Sequence, residues 1–110
     1  MPFNQLESYR ELDRELARLK THFEYFQNAE PGDLVDWAVY FGKWAERAQD
    51  LELEWAEPYA RLAGMVVKGL TGSRPPREAF DLLIRGMRGA QMDIQRQVER
   101  ALRQRSLVGV

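Results

Sequence analysis

Two pairs of carboxylates stand at the same interval in this chain, Glu54 with Glu57 and Glu78 with Asp81. Residues three apart on a helix share a face. Each pair could therefore offer two oxygen ligands to one divalent cation, and such a cation can polarise a phosphoryl oxygen. The elements that must position them argue against convergence. Glu57 opens a helical segment reaching Leu70, about 20 Å away at 1.5 Å per residue, whereas Glu78 opens the helix that returns. Antiparallel packing sets Glu78 beside Leu70, and the apolar periodicity turns Glu54 and Glu57 away from the core.

The E-x-x-E…E-x-x-D spacing resembles the pattern of all-α nucleotide pyrophosphohydrolases of the MazG type, a resemblance that covers four residues. It would imply magnesium held by Glu54, Glu57, Glu78 and Asp81, but a chain with 11 Glu and 6 Asp supplies the pattern readily by chance. Other chemistries have less to stand on. His22 is the single histidine and lies in no Glu-x-x-His motif, which leaves no histidine-based metal site. Ser8, Ser73 and Ser106 are the only serines, and none sits in a nucleophile elbow. There is no cysteine, hence no disulfide, thiolate zinc site or thiol nucleophile. Gly86 and Gly89 follow no strand, so their spacing suits close helix contact rather than phosphate binding. The sequence predicts no catalytic residue, metal or cofactor.

Charge is distributed unevenly. Residues 1–60 carry 6 basic and 13 acidic side chains, and residues 61–110 carry 10 basic and 4 acidic, within a net charge of −1. Arg77, Arg85, Arg88, Arg96, Arg100 and Arg103 cluster opposite the apolar stripe of the last helix, with Met92 among them. Guanidinium groups one to two turns apart can follow a phosphate backbone. They can equally dock on an acidic protein face, including the N-terminal half of another copy, or remain solvated beside Glu78, Asp81 and Glu99. The exposed aromatics that would accompany nucleic-acid binding are missing from this face.

The elements behind these groups are all helical. Leu12, Leu19 and Phe26 recur every seven residues, as do Tyr9, Leu16 and Phe23, forming a coiled-coil-like seam. Asn4 with Glu7 suggests a capping box for this first helix. The run 28–33 ends it, and Asp33 is placed to cap the next. From Leu34 to Leu70 one apolar stripe stays in phase: Leu34, Trp37, Ala38, Phe41, Trp44, Ala45, Ala48, Trp55, Tyr59, Leu62, Ala63, Val66 and Leu70. Val35, Val39 and Gly42 line the far side of its first third. Pro58 predicts a kink or break, and Glu52 falls in the stripe while Leu53 falls outside it. Two readings follow: a joint near Asp50, with Asp50 capping a new helix, or a continuous helix with Glu52 buried. The kinked or interrupted helix is favoured, because the stripe resumes in phase beyond the fault. Thr71 to Pro76 is a loop. Phe80, Leu83, Ile84, Met87, Ala90, Ile94, Val98, Ala101 and Leu102 give the last helix, from about Pro76 to Gln104, its core face.

The expected fold is all-α: an antiparallel bundle of three long helices, or four if the middle one breaks near residues 50–58. It forms one domain over residues 1–105, with a flexible tail at 106–110. A helix apolar on two sides needs a second cover. The expected function is therefore a non-enzymatic binding or assembly subunit docking on a protein partner or on itself, through Val35, Val39, Tyr40 and Trp44. The alternative is a nucleic-acid-backbone-binding subunit of a nucleoprotein complex using the arginine face. No membrane span or signal peptide is expected, and a cytoplasmic location fits both readings.

Overall fold

The computed structural model describes residues 2–25, 31–72 and 75–108, and the side chains of 5–25, 32–72 and 75–104. Four helices follow one another: α1 (Pro2–Tyr25), α2 (Pro31–Asp50), α3 (Glu57–Thr71) and α4 (Pro76–Val108). The all-α bundle expected from the periodicity is the one observed, in its four-helix form, with no strand among the described residues.

The heptad seam of α1 is its core face, with Tyr9, Leu12, Leu16 and Phe23 buried and Leu19 half-buried. Phe26 and the turn at 28–30 lie outside the described residues, as do Ser73, Arg74, Val110 and Gly109. α1 starts at Pro2 and α2 at Pro31, so Asn4 and Asp33 fall within first turns rather than capping them. α4 continues to Val108, and residues 106–108 belong to that helix instead of a tail.

Side-chain contacts fix an up-down-up-down order. The Phe23 and Trp37 rings meet edge-on at 6.0 Å, and the Trp44 indole Nε1 donates to the Leu12 carbonyl at 2.8 Å, so α1 and α2 run antiparallel. Phe41 lies 6.1 Å from Tyr59, and Trp44 6.2 Å from Trp55, which turns α3 back along α2. Phe23 stacks on Phe80 at 4.5 Å while Asp13 hydrogen-bonds Gln95, so α4 runs antiparallel to α1. α2 and α4 touch across the short diagonal, whereas α1 and α3 are held apart. The result is a slab with extents of 55 × 24 × 16 Å.

The fault in the middle of the chain is a true helix stop. The Glu52 N–H donates to the Gln49 carbonyl at 2.8 Å, and the Leu53 N–H to the Ala48 carbonyl at 3.1 Å. This pair of bonds is a Schellman motif, which places its C′ residue in the left-handed region. That residue is Glu52, at φ 63°. The left-handed step reverses the expected facing: Leu53 is buried and Glu52 is exposed. A buried Glu52 carboxylate is thereby overturned. Asp50 does not cap the new segment either, since the residues before the 3-10 turn (Glu54–Ala56) and before α3 form no side-chain cap. Pro58 sits in the first turn of α3, where its missing N–H has no helical acceptor to serve.

Candidate functional site

Helical phase builds the outward face of α2. At 100° per residue, Trp37, Trp44 and Ala48 turn toward α1 while Gly42 turns toward α3. A Cβ on Gly42 would lie 3.4 Å from that of Ala63, so α3 covers this part of the far side. Val35 is half-buried beside it, and Val39, the next step outward, is 39% exposed. Tyr40 lies 100° further round, on the α1 edge, and is 55% exposed. The predicted docking residues are thus split between two edges of one helix. Trp44 is 2% exposed, stacked on Phe41 at 6.0 Å and hydrogen-bonded to α1, so it belongs chiefly to the core and only borders the groove that Tyr40 overhangs.

Tyr40 borders an open groove of roughly 500 Å³ between α1 and α2, lined also by Leu19, Lys43, Glu46 and Asp50. Glu15 and Arg47 bridge its floor, with Arg47 Nη1 donating to Glu15 Oε1 at 3.0 Å and Nη2 to Oε2. The carboxylate beside it holds the Arg47 guanidinium above its usual pKa. Sequence reasoning missed the groove. Leu19 belongs to the predicted seam, and nothing in its spacing shows that it borders an open groove.

All six arginines of the predicted α4 face are exposed. Arg88 reaches Glu24 of α1 at 3.4 Å and Arg96 reaches Asp93 at 3.7 Å. Among the described residues, Arg77, Arg85, Arg100 and Arg103 have no carboxylate partner. Met92 stands 55% exposed within this face. Leu102, expected in the core, is 39% exposed.

The carboxylate pairs do not converge. Glu57 heads α3 and Glu78 heads the antiparallel α4, which sets them near opposite ends of α3. Among the described residues no three acidic or histidine side chains group closely enough to hold a metal ion. His22 is exposed, its ring 6.3 Å from Trp37. Two half-buried groups, Tyr59 and Asp13, are shifted from their ordinary pKa values. Tyr59 donates to Asp93 Oδ2 at 2.5 Å, and burial together with that carboxylate pushes its phenol pKa well above 10. Asp13 is raised from 3.8 by burial, against the lowering effect of Gln95, and its Oδ1 has no hydrogen-bond partner. The Tyr59–Asp93 bond ties α3 to α4, and the Asp13–Gln95 bond ties α1 to α4.

No helix among the described residues is long and apolar enough to cross a membrane. Comparison with known proteins returns no matching family model, no matching curated protein and no matching solved structure.

Proposed function

We propose that this chain is a non-enzymatic binding or assembly subunit that docks by the outward face of α2. The observation that carries the reading is Tyr40, more than half exposed above the groove between α1 and α2. A tyrosine ring offers a large apolar body with a polar tip and few rotatable bonds, which is why it recurs as an interface anchor. Lys43, Glu46 and Asp50 form a charged rim around it, the arrangement of an interface with an apolar centre and polar edge. Since Tyr40 is exposed, Tyr40→Ala should leave the fold intact while weakening association at least tenfold, measured by light scattering across concentration and by affinity capture from native extract. Unchanged association in that variant would overturn the reading.

A nucleic-acid-backbone binder is the second reading, favoured by the four arginines of α4 that have no carboxylate partner among the described residues. It is tested by electrophoretic shift of single- and double-stranded oligonucleotides at low and moderate salt. Arg85→Glu and Arg103→Glu should abolish any shift.

A further inference from the structure

The docking reading leaves the partner open, and the two broad faces of the slab carry the information that narrows it. α2 and α4 touch each other and each is flanked by both α1 and α3, so their outward sides face away from one another. The α2 side exposes Asp36, Glu46 and Asp50 against Lys43, with Arg47 already tied to Glu15. The α4 side exposes Arg77, Arg85, Arg88, Arg96, Arg100 and Arg103 against Glu78, Asp81 and Glu99, a basic excess around Met92 even with Arg88 and Arg96 engaged by Glu24 and Asp93. Each face therefore has an exposed apolar side chain, Tyr40 on one and Met92 on the other, surrounded by charge of opposite excess.

The chain also has surface to spare. A folded monomer of 12.9 kDa is expected to expose about 6,300 Å², and this one exposes 7464 Å². Its radius of gyration is 15.3 Å, where about 13 Å is usual for this length. The surplus of roughly 1,100 Å² exceeds the ~800 Å² that each partner loses in a standard interface.

We propose that the partner is a second copy of this chain, with the α4 face of one copy docked on the α2 face of the next. Pairing α4 with α4, or α2 with α2, would set like charges together. The contact is therefore heterologous. Because every copy presents one face of each kind on opposite sides, the contact repeats head to tail, giving an open chain unless the rotation closes a ring.

Sedimentation velocity on three proteins tests this: the unaltered chain, an α4 variant (Arg85→Glu with Arg103→Glu) and an α2 variant (Asp36→Lys with Glu46→Lys). For the unaltered chain the expected mass rises with concentration beyond that of a dimer and returns to the monomer near 1 M salt, where the Debye length is about 3 Å. Each variant alone should be monomeric, because both of its faces then carry one sign. An equimolar mixture of the two should associate again, since acidic and basic faces are restored in alternation. Circular dichroism of each variant verifies that its helices are intact.

A mass that plateaus at the dimer, or a mixture that stays monomeric, would overturn the head-to-tail contact. If the unaltered chain is monomeric but still captures another protein through Tyr40, self-docking fails while the docking function survives. Loss of both would remove the two together. Oligonucleotide binding that disappears in the α4 variant would reassign that face to nucleic acid and overturn the proposal.

Discussion

Tyr59 and Gly89 meet so closely that a Cβ on the glycine would stand 2.9 Å from the tyrosine hydroxyl oxygen. The hydroxyl cannot swing away freely, because it donates to Asp93 at 2.5 Å one turn further along α4. Gly86 repeats the relationship one turn earlier, where a Cβ would meet Leu62 at 3.1 Å and Phe41 at 3.2 Å. Two glycines thus let α3 lie against α4.

Gly89→Ala brings two opposed effects. Alanine is favoured over glycine within a helix by about 1 kcal/mol, while overpacking costs about 1–3 kcal/mol. The expected net result is a destabilisation of about 1 kcal/mol, from the difference of those two effects. In a Tyr59→Phe background the crowded oxygen is gone, and the same substitution should become neutral or stabilising. Urea denaturation of the four proteins gives the coupling, and additive effects would contradict the contact.

Glu52 occupies a backbone conformation that L side chains adopt at a cost of roughly 1–2 kcal/mol. Glycine meets no such penalty but gains freedom in the unfolded chain. Glu52→Gly should therefore raise stability by about 0.5–1 kcal/mol, seen as a higher denaturation midpoint with an unchanged slope. A fall in midpoint would mean that the helix stop is not formed as described.

Trp44→Phe removes the bond to the Leu12 carbonyl and part of a filled core site. The expected loss is about 1–3 kcal/mol, the hydrogen bond contributing about 1 and the missing ring atoms the remainder. Tyr40→Ala, on the exposed side of the same helix, should change stability by less than about 0.5 kcal/mol. If the two variants reversed that order, the assignment of core and surface on α2 would fail.

Asp13 gives a pH signature. Its folded-state pKa is raised by burial, with the Gln95 hydrogen bond opposing, so the folded chain holds this proton at pH values where the unfolded chain has released it. Stability is then lost as pH climbs from 3.8 through the folded value, and the loss remains at neutral pH. Asp13→Asn should accordingly stabilise the protein at pH 7 and make little difference near pH 3. A variant less stable at pH 7 would show that the carboxylate is better satisfied than its orphaned Oδ1 indicates.

The amino-acid order alone determined the helices and their inward faces. Apolar residues recurring at 3.6-residue intervals have a single arrangement that buries them, and Leu16, Phe23, Phe41, Ala63, Val66, Leu83 and Ile94 are inside for that reason. The spacing of Gly86 and Gly89 likewise announced a close helix contact before any coordinates.

What only the tertiary structure decided is how neighbouring helices share one face. Trp44 and Tyr40 are four residues apart on the same helix, yet one is buried with its indole bonded to α1 and the other stands 55% exposed beside a groove. Periodicity reports the direction of a side chain and says nothing of the distance to what it faces. The break near residues 50–58 was legible, but the left-handed turn at Glu52 that makes it was not: with no glycine at that position, the local signal was absent. Burial of Leu53 and the backbone bonds to Gln49 and Ala48 hold the turn instead.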